Sequence, residues 1–334
     1  MNNKRDFTQL LSELNTLGAE ALAMQRPVAG GIPLRPLGQT GEWVSLIGLG
    51  GYDAVVNKTD AEGVSFMLEA LDLGISFWDN AWEYHDGRAE EVMGRAIAEG
   101  RVRDRIFLMT KVCARDAKGF QRQLEDCLRR LRTEQIDLVQ LHSIQYPGDR
   151  DRFFDPENGA MKAALEALAA GKFRYLGFTG HMDPHDHEGM LKTDYDWATV
   201  QFPLNVVDAH EVEGFQSRIF PECRRRKIGM IAMKSLAAND GRIPHELKLN
   251  AELCRQYVMS LPISTLVSGI QTREQLHRLV EVSRDFQPLG SDVLTELLGR
   301  SRGVEDILFM EGYKDRTGQF GCTHHAAVYA GSQA

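Results

Sequence analysis

Eight short apolar stretches, each followed by a longer segment of helical periodicity, set the strongest limit on what this chain can fold into. The pairs are Ser45–Leu49 with Asp60–Leu73, Ile75–Trp78 with Ala89–Glu99, Ile106–Thr110 with Phe120–Leu131, and Ile136–Leu141 with Ala160–Ala170. They continue with Tyr175–Phe178 and His185–Lys192, Ala198–Gln201 and Glu211–Arg226, Ile228–Met233 and His245–Met259, and Ser264–Val267 and Arg273–Asp285. Eight strands, each trailed by a helix, are what a closed parallel (β/α)8 TIM barrel requires. A doubly wound open sheet is the alternative that the same alternation allows. The 334 residues suit one barrel with extensions. The expected division is an N-terminal extension over 1–31, a barrel over 32–288, and a C-terminal extension over 289–334 that contributes to the active-site rim.

The extension carries a candidate helix, Phe7–Met24, ended by a Pro27/Gly30/Gly31 break. Short apolar pieces then flank a Gly38-Gln39-Thr40-Gly41 turn and suggest a hairpin. Gly48, Gly50 and Gly51 do not form the G-x-G-x-x-G phosphate-binding pattern. Gln145–Gly159, with two prolines, two glycines and many charges, reads as an extended loop above one face of the barrel. Beyond Pro288 the eightfold pattern stops. A helix near Asp292–Leu298 and a mobile tail through Tyr313, Cys322, His324 and His325 are expected there, with the tail able to shape substrate entry.

A formal net charge of −8 argues against a nucleic-acid-binding surface. The basic run Arg224-Arg225-Arg226-Lys227 suits the solvated C-terminus of a helix. Five separated cysteines without a C-x-x-C pair favour free thiols in a reducing compartment. No apolar run is long enough for a membrane span. Lys4-Arg5-Asp6-Phe7 faintly resembles a degraded twin-arginine export signal. The residues after it include Glu13, Asn15 and Glu20, which suit an amphipathic helix better, so a cytoplasmic location is the expectation and export the minor alternative.

The second strand candidate ends at Asp79, and the loop after it carries Tyr84 before a helix whose apolar face is Val92, Met93, Ala96 and Ile97. The run Asp79-Asn80-Ala81-Trp82-Glu83-Tyr84, followed by Glu90 or Glu91 and Gly94, resembles the Asp-x-Ala-x-x-Tyr pattern of the aldo-keto reductase family. Later strand ends extend the resemblance: Lys111 after IFLMT, His142 after IDLVQL, and Gly177-Phe178-Thr179-Gly180-His181. The similarity covers about Ile32–Pro288. It implies a barrel that uses a nicotinamide cofactor, with Asp79, Tyr84, Lys111 and His142 matching the family's catalytic four.

Those residue types suit carbonyl reduction. Tyr84 can supply a proton, but an unperturbed phenol is a poor acid at neutral pH. A cationic Lys111 favours the phenolate, Asp79 orients and compensates the ammonium, and His142 can hydrogen-bond the carbonyl oxygen. Each also has an ordinary alternative: a solvated Lys or Tyr, a capping Asp, a satisfied interior His. His85 is the nearest competitor as the acid.

The resemblance assigns cofactor contacts less uniformly. Thr179, Gly180 and His181 stand where the family has Ser-Asn against the carboxamide, and Gln201 matches a carboxamide-contacting glutamine. Met233-Lys234-Ser235-Leu236 replaces a Tyr-Ser-Pro-Leu run: Met233 can touch the nicotinamide without stacking as an aromatic ring, and Lys234 can approach phosphate. Ser268 and Gly269 end the eighth strand and Thr272 can cap the next helix, leaving backbone amides for phosphate with Arg273 or Gln275 nearby. Arg273 can replace the family's basic side chain for the 2′-phosphate, or be an ordinary solvent-facing helical arginine. NADP(H) is favoured by the family and NAD(H) is the alternative, with a small-molecule carbonyl compound as the substrate.

No metal is expected. The best local candidate, His181-Met182-Asp183-Pro184-His185-Asp186-His187, reads better as a polar turn. A G-x-S-x-G elbow is lacking, which disfavours a serine hydrolase. The substitutions at Gly180, His181 and Met233 keep one other class open, a nucleotide-binding regulatory protein on the same fold with little turnover.

Overall fold

The computed structural model describes residues 4–146, 148–237 and 241–315. An antiparallel hairpin comes first, β1 (Leu34–Pro36) and β2 (Trp43–Ser45), with Arg35 opposite Val44. The next strands are β3 (Ile47–Gly50), β4 (Phe77–Asp79), β5 (Phe107–Val112), β6 (Ile136–Leu141) and β7 (Phe173–Thr179). The last three are β8 (Thr199–Pro203), β9 (Gly229–Met233) and β10 (Thr265–Ser268). They close in the order β10-β3-β4-β5-β6-β7-β8-β9, and every pairing is parallel. With helices between the strands, this is the (β/α)8 barrel.

Burial on both faces explains the nearly continuous apolar strands, since the barrel interior takes one set of side chains and the helix layer takes the other. Phe77, Phe107, Met109, Leu138 and Ile231 cluster inside with Leu37 and Val44 from the hairpin. Phe77 and Phe107 stack with centroids 5.5 Å apart. That end of the barrel is therefore a solid plug. A side chain at Gly38 would meet the Gly229 nitrogen at 2.3 Å, which is why this positive-φ turn is glycine and the hairpin can press against β9.

Two long helices expected from periodicity are broken. In place of Glu211–Arg226 there are a turn, Asp208–His210, and two helices, Phe215–Arg218 and Phe220–Arg226. Pro221 lies in the first turn of the second helix, where its missing N–H costs nothing. In place of His245–Met259 there are Arg242–Leu247 and Ala251–Met259, because Asn250 accepts a hydrogen bond from the Leu253 amide and starts a new helix. The loop expected over Gln145–Gly159 contains a short helix, Asp149–Phe153.

The first helix, Phe7–Ala23, buries Leu10, Leu14, Leu17 and Ala21, and its neighbour Lys4 pairs with Glu211. After the barrel, the helices Ser291–Ser301 and Ile307–Met310 lead into the turn Gly312–Lys314. The Lys314 ammonium is buried between Asp208 at 2.9 Å and Glu311 at 2.6 Å. This holds the segment against the loop that follows β8. Cys322, His324 and His325 lie outside the described residues. No helix among the described residues is long and apolar enough to cross a membrane.

Candidate active site

Opposite the plug, the strand ends open into a cleft of about 1150 Å3 lined by Asp79, Tyr84, Lys111, His142, Gln201 and Met233, among others. Strand pairing puts its chemistry together. Asp79 closes β4, Lys111 is the next-to-last residue of β5, and His142 follows the last residue of β6, so three neighbouring strands deliver adjacent groups. Tyr84 arrives from the loop after β4, where His85, Asp86 and Gly87 all have positive φ and turn the chain back over the barrel mouth.

The buried Lys111 ammonium donates to Asp79 Oδ1, to the Asn80 carbonyl at 2.8 Å and to the Tyr84 hydroxyl at 3.2 Å. The second oxygen of Asp79 accepts from Gln201 Nε2 at 3.1 Å. Burial, reinforced by the Asp79 and Glu83 carboxylates, pushes the Tyr84 phenol well above its usual range. The hydroxyl therefore keeps its proton at neutral pH. The His142 ring meets Tyr84 edge-on at 5.8 Å. Its Nδ1 lies 3.1 Å from Glu83 Oε1 and 3.3 Å from Cys113 Sγ. Burial lowers the His142 pKa, against the raising effect of Glu83, which favours the neutral ring. His85 stacks on Tyr52 at 4.4 Å, and its Nε2 donates to the Tyr52 carbonyl at 2.9 Å.

Glu90, rather than the exposed Glu91, turns inward to accept from Thr110 Oγ1 at 2.6 Å. It supports the barrel wall behind the site.

The proposed cofactor contacts separate into groups. Thr179, His181, Gln201, Met233, Lys234, Ser235, Leu236, Ser268, Gly269, Thr272 and Gln275 all line the cleft. Gln201 Oε1 and Ser235 Oγ are buried without a protein partner; a carboxamide N–H would complete the first, an acceptor, and a phosphate oxygen could accept from the hydroxyl of the second. His181 Nδ1 donates to the Tyr313 carbonyl at 2.9 Å, and burial holds its pKa down at about 3, so the neutral ring offers Nε2 as an acceptor. Gly180 has a packing role, since a Cβ there would meet the Ile144 carbonyl at 2.5 Å. Thr272 and Gln275 cap each other in a capping box at the start of Arg273–Ser283. Arg273 is outside the lining, ion-paired with Glu69 at 2.6 Å, whereas Arg278 is part of it.

The histidine-rich turn does not converge. His181 meets Tyr313, His185 pairs with Asp183 on the surface, and His187 is buried against Phe178 and Phe215. Glu83, Cys113 and His142 do converge, and the sequence reading passed over Glu83 and Cys113. The usable signal was positional: Cys113 directly follows β5 as His142 directly follows β6.

Comparison with known proteins now adds to this geometry. An uncharacterized oxidoreductase of Bacillus subtilis, YrpG, is 26% identical over 312 residues, which is 76% of this chain and 92% of the relative. The methylglyoxal reductase YeaE of Escherichia coli is 30% identical over 228 residues, 67% of this chain and 71% of the relative. An aldo-keto reductase structure from Klebsiella pneumoniae in complex with NADPH has the same fold, at a TM-score of 0.65 and 22% identity, covering 87% of this chain and all of that one. The profile of the aldo/keto reductase family matches residues 46–246, the span that holds the barrel from β3 through β9 and all four strand-end groups, and the chain accordingly belongs to that family.

Proposed function

We infer that this protein reduces an aldehyde or ketone to the alcohol, reversibly, with Tyr84 as the general acid and NADP(H) favoured over NAD(H). The observation that carries the reading is the Tyr84 hydroxyl lining the cleft, hydrogen-bonded by an ammonium whose charge Asp79 compensates. When bound, the reduced nicotinamide supplies the hydride. Gln201 Oε1 and the acceptor Nε2 of His181 suit its carboxamide N–H groups, while Lys234, Ser235 and the Ser268–Gly269 backbone suit the phosphates. Arg278 takes the 2′-phosphate role first given to Arg273, because it lines the cleft and Arg273 does not, although each is ion-paired at 2.6 Å, Arg278 with Glu274 and Arg273 with Glu69. The NADPH held by the similar Klebsiella structure and the methylglyoxal reductase among the relatives support this choice of cofactor and a small carbonyl substrate.

Tyr84 gives its proton to the carbonyl oxygen as negative charge develops there. The phenolate left behind is stabilised by Lys111 at hydrogen-bond distance. His142 lines the cleft edge-on to Tyr84 and offers a ring nitrogen that hydrogen-bonds the substrate oxygen as the alcohol forms. In the reverse direction the same nitrogen receives and orients the alcohol.

Direct transfer is tested with cofactor deuterated at C4 and a panel of small aldehydes, aromatic aldehydes and ketones. The label is expected on the product carbon. Turnover that leaves the label only in cofactor or solvent would sink the mechanism, and tight nucleotide binding without turnover on any of the panel would favour a regulatory protein.

A further inference from the structure

We propose that Glu83, Cys113 and His142 form a binding site for a zinc-class divalent cation in the wall of the active-site cleft. The three side chains come from consecutive strand ends. Val112 of β5 pairs with Leu141 of β6, so the residues that follow, Cys113 and His142, emerge side by side. Glu83 reaches the same point from the loop after β4.

The donor atoms gather around one position. Glu83 Oε1 is 3.1 Å and Cys113 Sγ is 3.3 Å from His142 Nδ1, and the three ligand atoms all lie within 4.8 Å of one another. Zinc bonds of 2.0–2.3 Å in a tetrahedron place neighbouring donors about 3.3–3.6 Å apart. The two spacings at His142 Nδ1 need open by only a few tenths of an ångström, and side-chain rotation brings the Glu83–Cys113 pair, at most 4.8 Å apart, to the same spacing. The arrangement is unlike a Cys-His-Glu catalytic triad, in which sulfur and carboxylate would sit on opposite ring nitrogens. Here both lie on the Nδ1 side of the ring, so a single ion can reach all three donors.

The surroundings hold the ligands in place. Arg115 Nη1 donates to the Cys113 carbonyl at 2.8 Å and to the His142 carbonyl at 2.7 Å, and Arg115 is itself fixed by a two-pronged ion pair with Asp149 at 2.9 Å on each arm. Gln123 Oε1 accepts from the Cys113 and Ala114 amides at 2.8 Å each. Glu83 and His142 line the main cleft, and Cys113 lines a second cavity of about 690 Å3, so the cluster belongs to the partition between two solvent spaces and an ion can reach it.

The charges balance. A dication with one thiolate, one carboxylate and a neutral imidazole is a net-neutral centre, which limits the desolvation cost in a buried wall. On binding, the Cys113 thiol releases one proton to solvent. The His142 ring stays neutral, with its proton on Nε2 when Nδ1 takes the metal. Mixed sulfur, nitrogen and oxygen donors select zinc or cobalt over magnesium or calcium. Turnover is expected to fall as zinc fills the site, because the His142 ring then answers to the metal. This last effect rests on the reductase reading; the binding itself does not.

The experiment uses the full chain carrying Cys322→Ser, which removes the one other thiol close in sequence to histidines. Zinc affinity is measured by competition with a chelating dye, and cobalt(II) is added separately while the near-ultraviolet spectrum is recorded. One ion per chain and a thiolate-to-cobalt charge-transfer band are expected. Cys113→Ser should abolish the band and weaken zinc binding at least about tenfold. Glu83→Gln should weaken binding while preserving the band. Cobalt binding without the band, or zinc affinity unchanged in Cys113→Ser, overturns the proposal, and Cys113→Ala serves if the serine variant misfolds. Zinc binding with the band in a protein inactive on every carbonyl compound would uphold the metal site and count against the reductase reading alone.

Discussion

Tyr84→Phe removes a single oxygen atom while keeping the ring that packs beside His142 and Tyr52. If that oxygen is the acid, kcat should fall by about 10²-fold or more while nucleotide affinity stays near its original value, since the proposed nucleotide contacts lie after β7 to β10. Direct titration of NADPH binding beside steady-state assays checks both halves, and near-normal kcat in a folded variant would move the search to His142. Arg278→Ala should weaken NADPH binding by about tenfold and NADH binding little, whereas Arg273→Ala should leave their ratio unchanged; the two dissociation constants, measured for each variant, decide it. The sequence made Asp79, Tyr84, Lys111 and His142 easy to single out because they fall at the ends of three successive strands or in the loop after the first, and parallel pairing brings strand ends together whatever the spacing along the chain. Arg273 shows what such reading lacks. Periodicity places a residue on a helix, but only the neighbouring helix, with Glu69 and Ser65 within reach, decides where a long side chain points. Glu83 was hidden for a related reason, being one polar residue among several in a loop whose three positive-φ residues set its direction.

Between elements, close approach sets the tightest constraint. Gly94, in the helix Arg88–Gly100, faces the C-terminal turn of Ala117–Leu131, and a Cβ there would lie 2.0 Å from the Arg130 carbonyl oxygen. Gly94→Ala must separate the two helices and is expected to cost about 1–3 kcal/mol, read as a lower denaturation midpoint in urea at unchanged slope. A midpoint equal to the unmodified protein would show that the helices yield freely. The eight strands were legible because each is short, apolar and buried on both faces, with edges off by only a few residues. The broken helices were less so. Glu211–Arg226 and His245–Met259 keep an apolar periodicity across Pro221 and Asn250, and the breaks come from backbone hydrogen bonding, to which periodicity is blind.

At the scale of the whole molecule, buried histidines tie stability to pH. Burial lowers the pKa of His181 to about 3, and those of His187 and His210 to about 4. Each is held below the unfolded value, so the unfolded chain binds protons more readily. The stabilisation is complete above about pH 6.5 and is lost as the pH falls toward 4, or toward 3 for His181, with each histidine giving up about 2 kcal/mol by pH 5. Thermal unfolding between pH 7 and pH 5 should show this decline, and His210→Gln should flatten it by about a third; an equal slope in the variant would remove His210 from the account. One of these three also connects distant parts of the chain. The carbonyl that orients His181 belongs to Tyr313, in the segment clamped by Lys314, Asp208 and Glu311. A ligand that needs His181 in that orientation and a terminal segment that must be docked to provide it are thermodynamically reciprocal: whatever the docked segment adds to nucleotide affinity, nucleotide must return as protection of the segment. Protease cleavage within residues 304–315 should therefore slow in proportion to nucleotide occupancy, making susceptibility of the chain's far end a gauge of what is bound in the barrel.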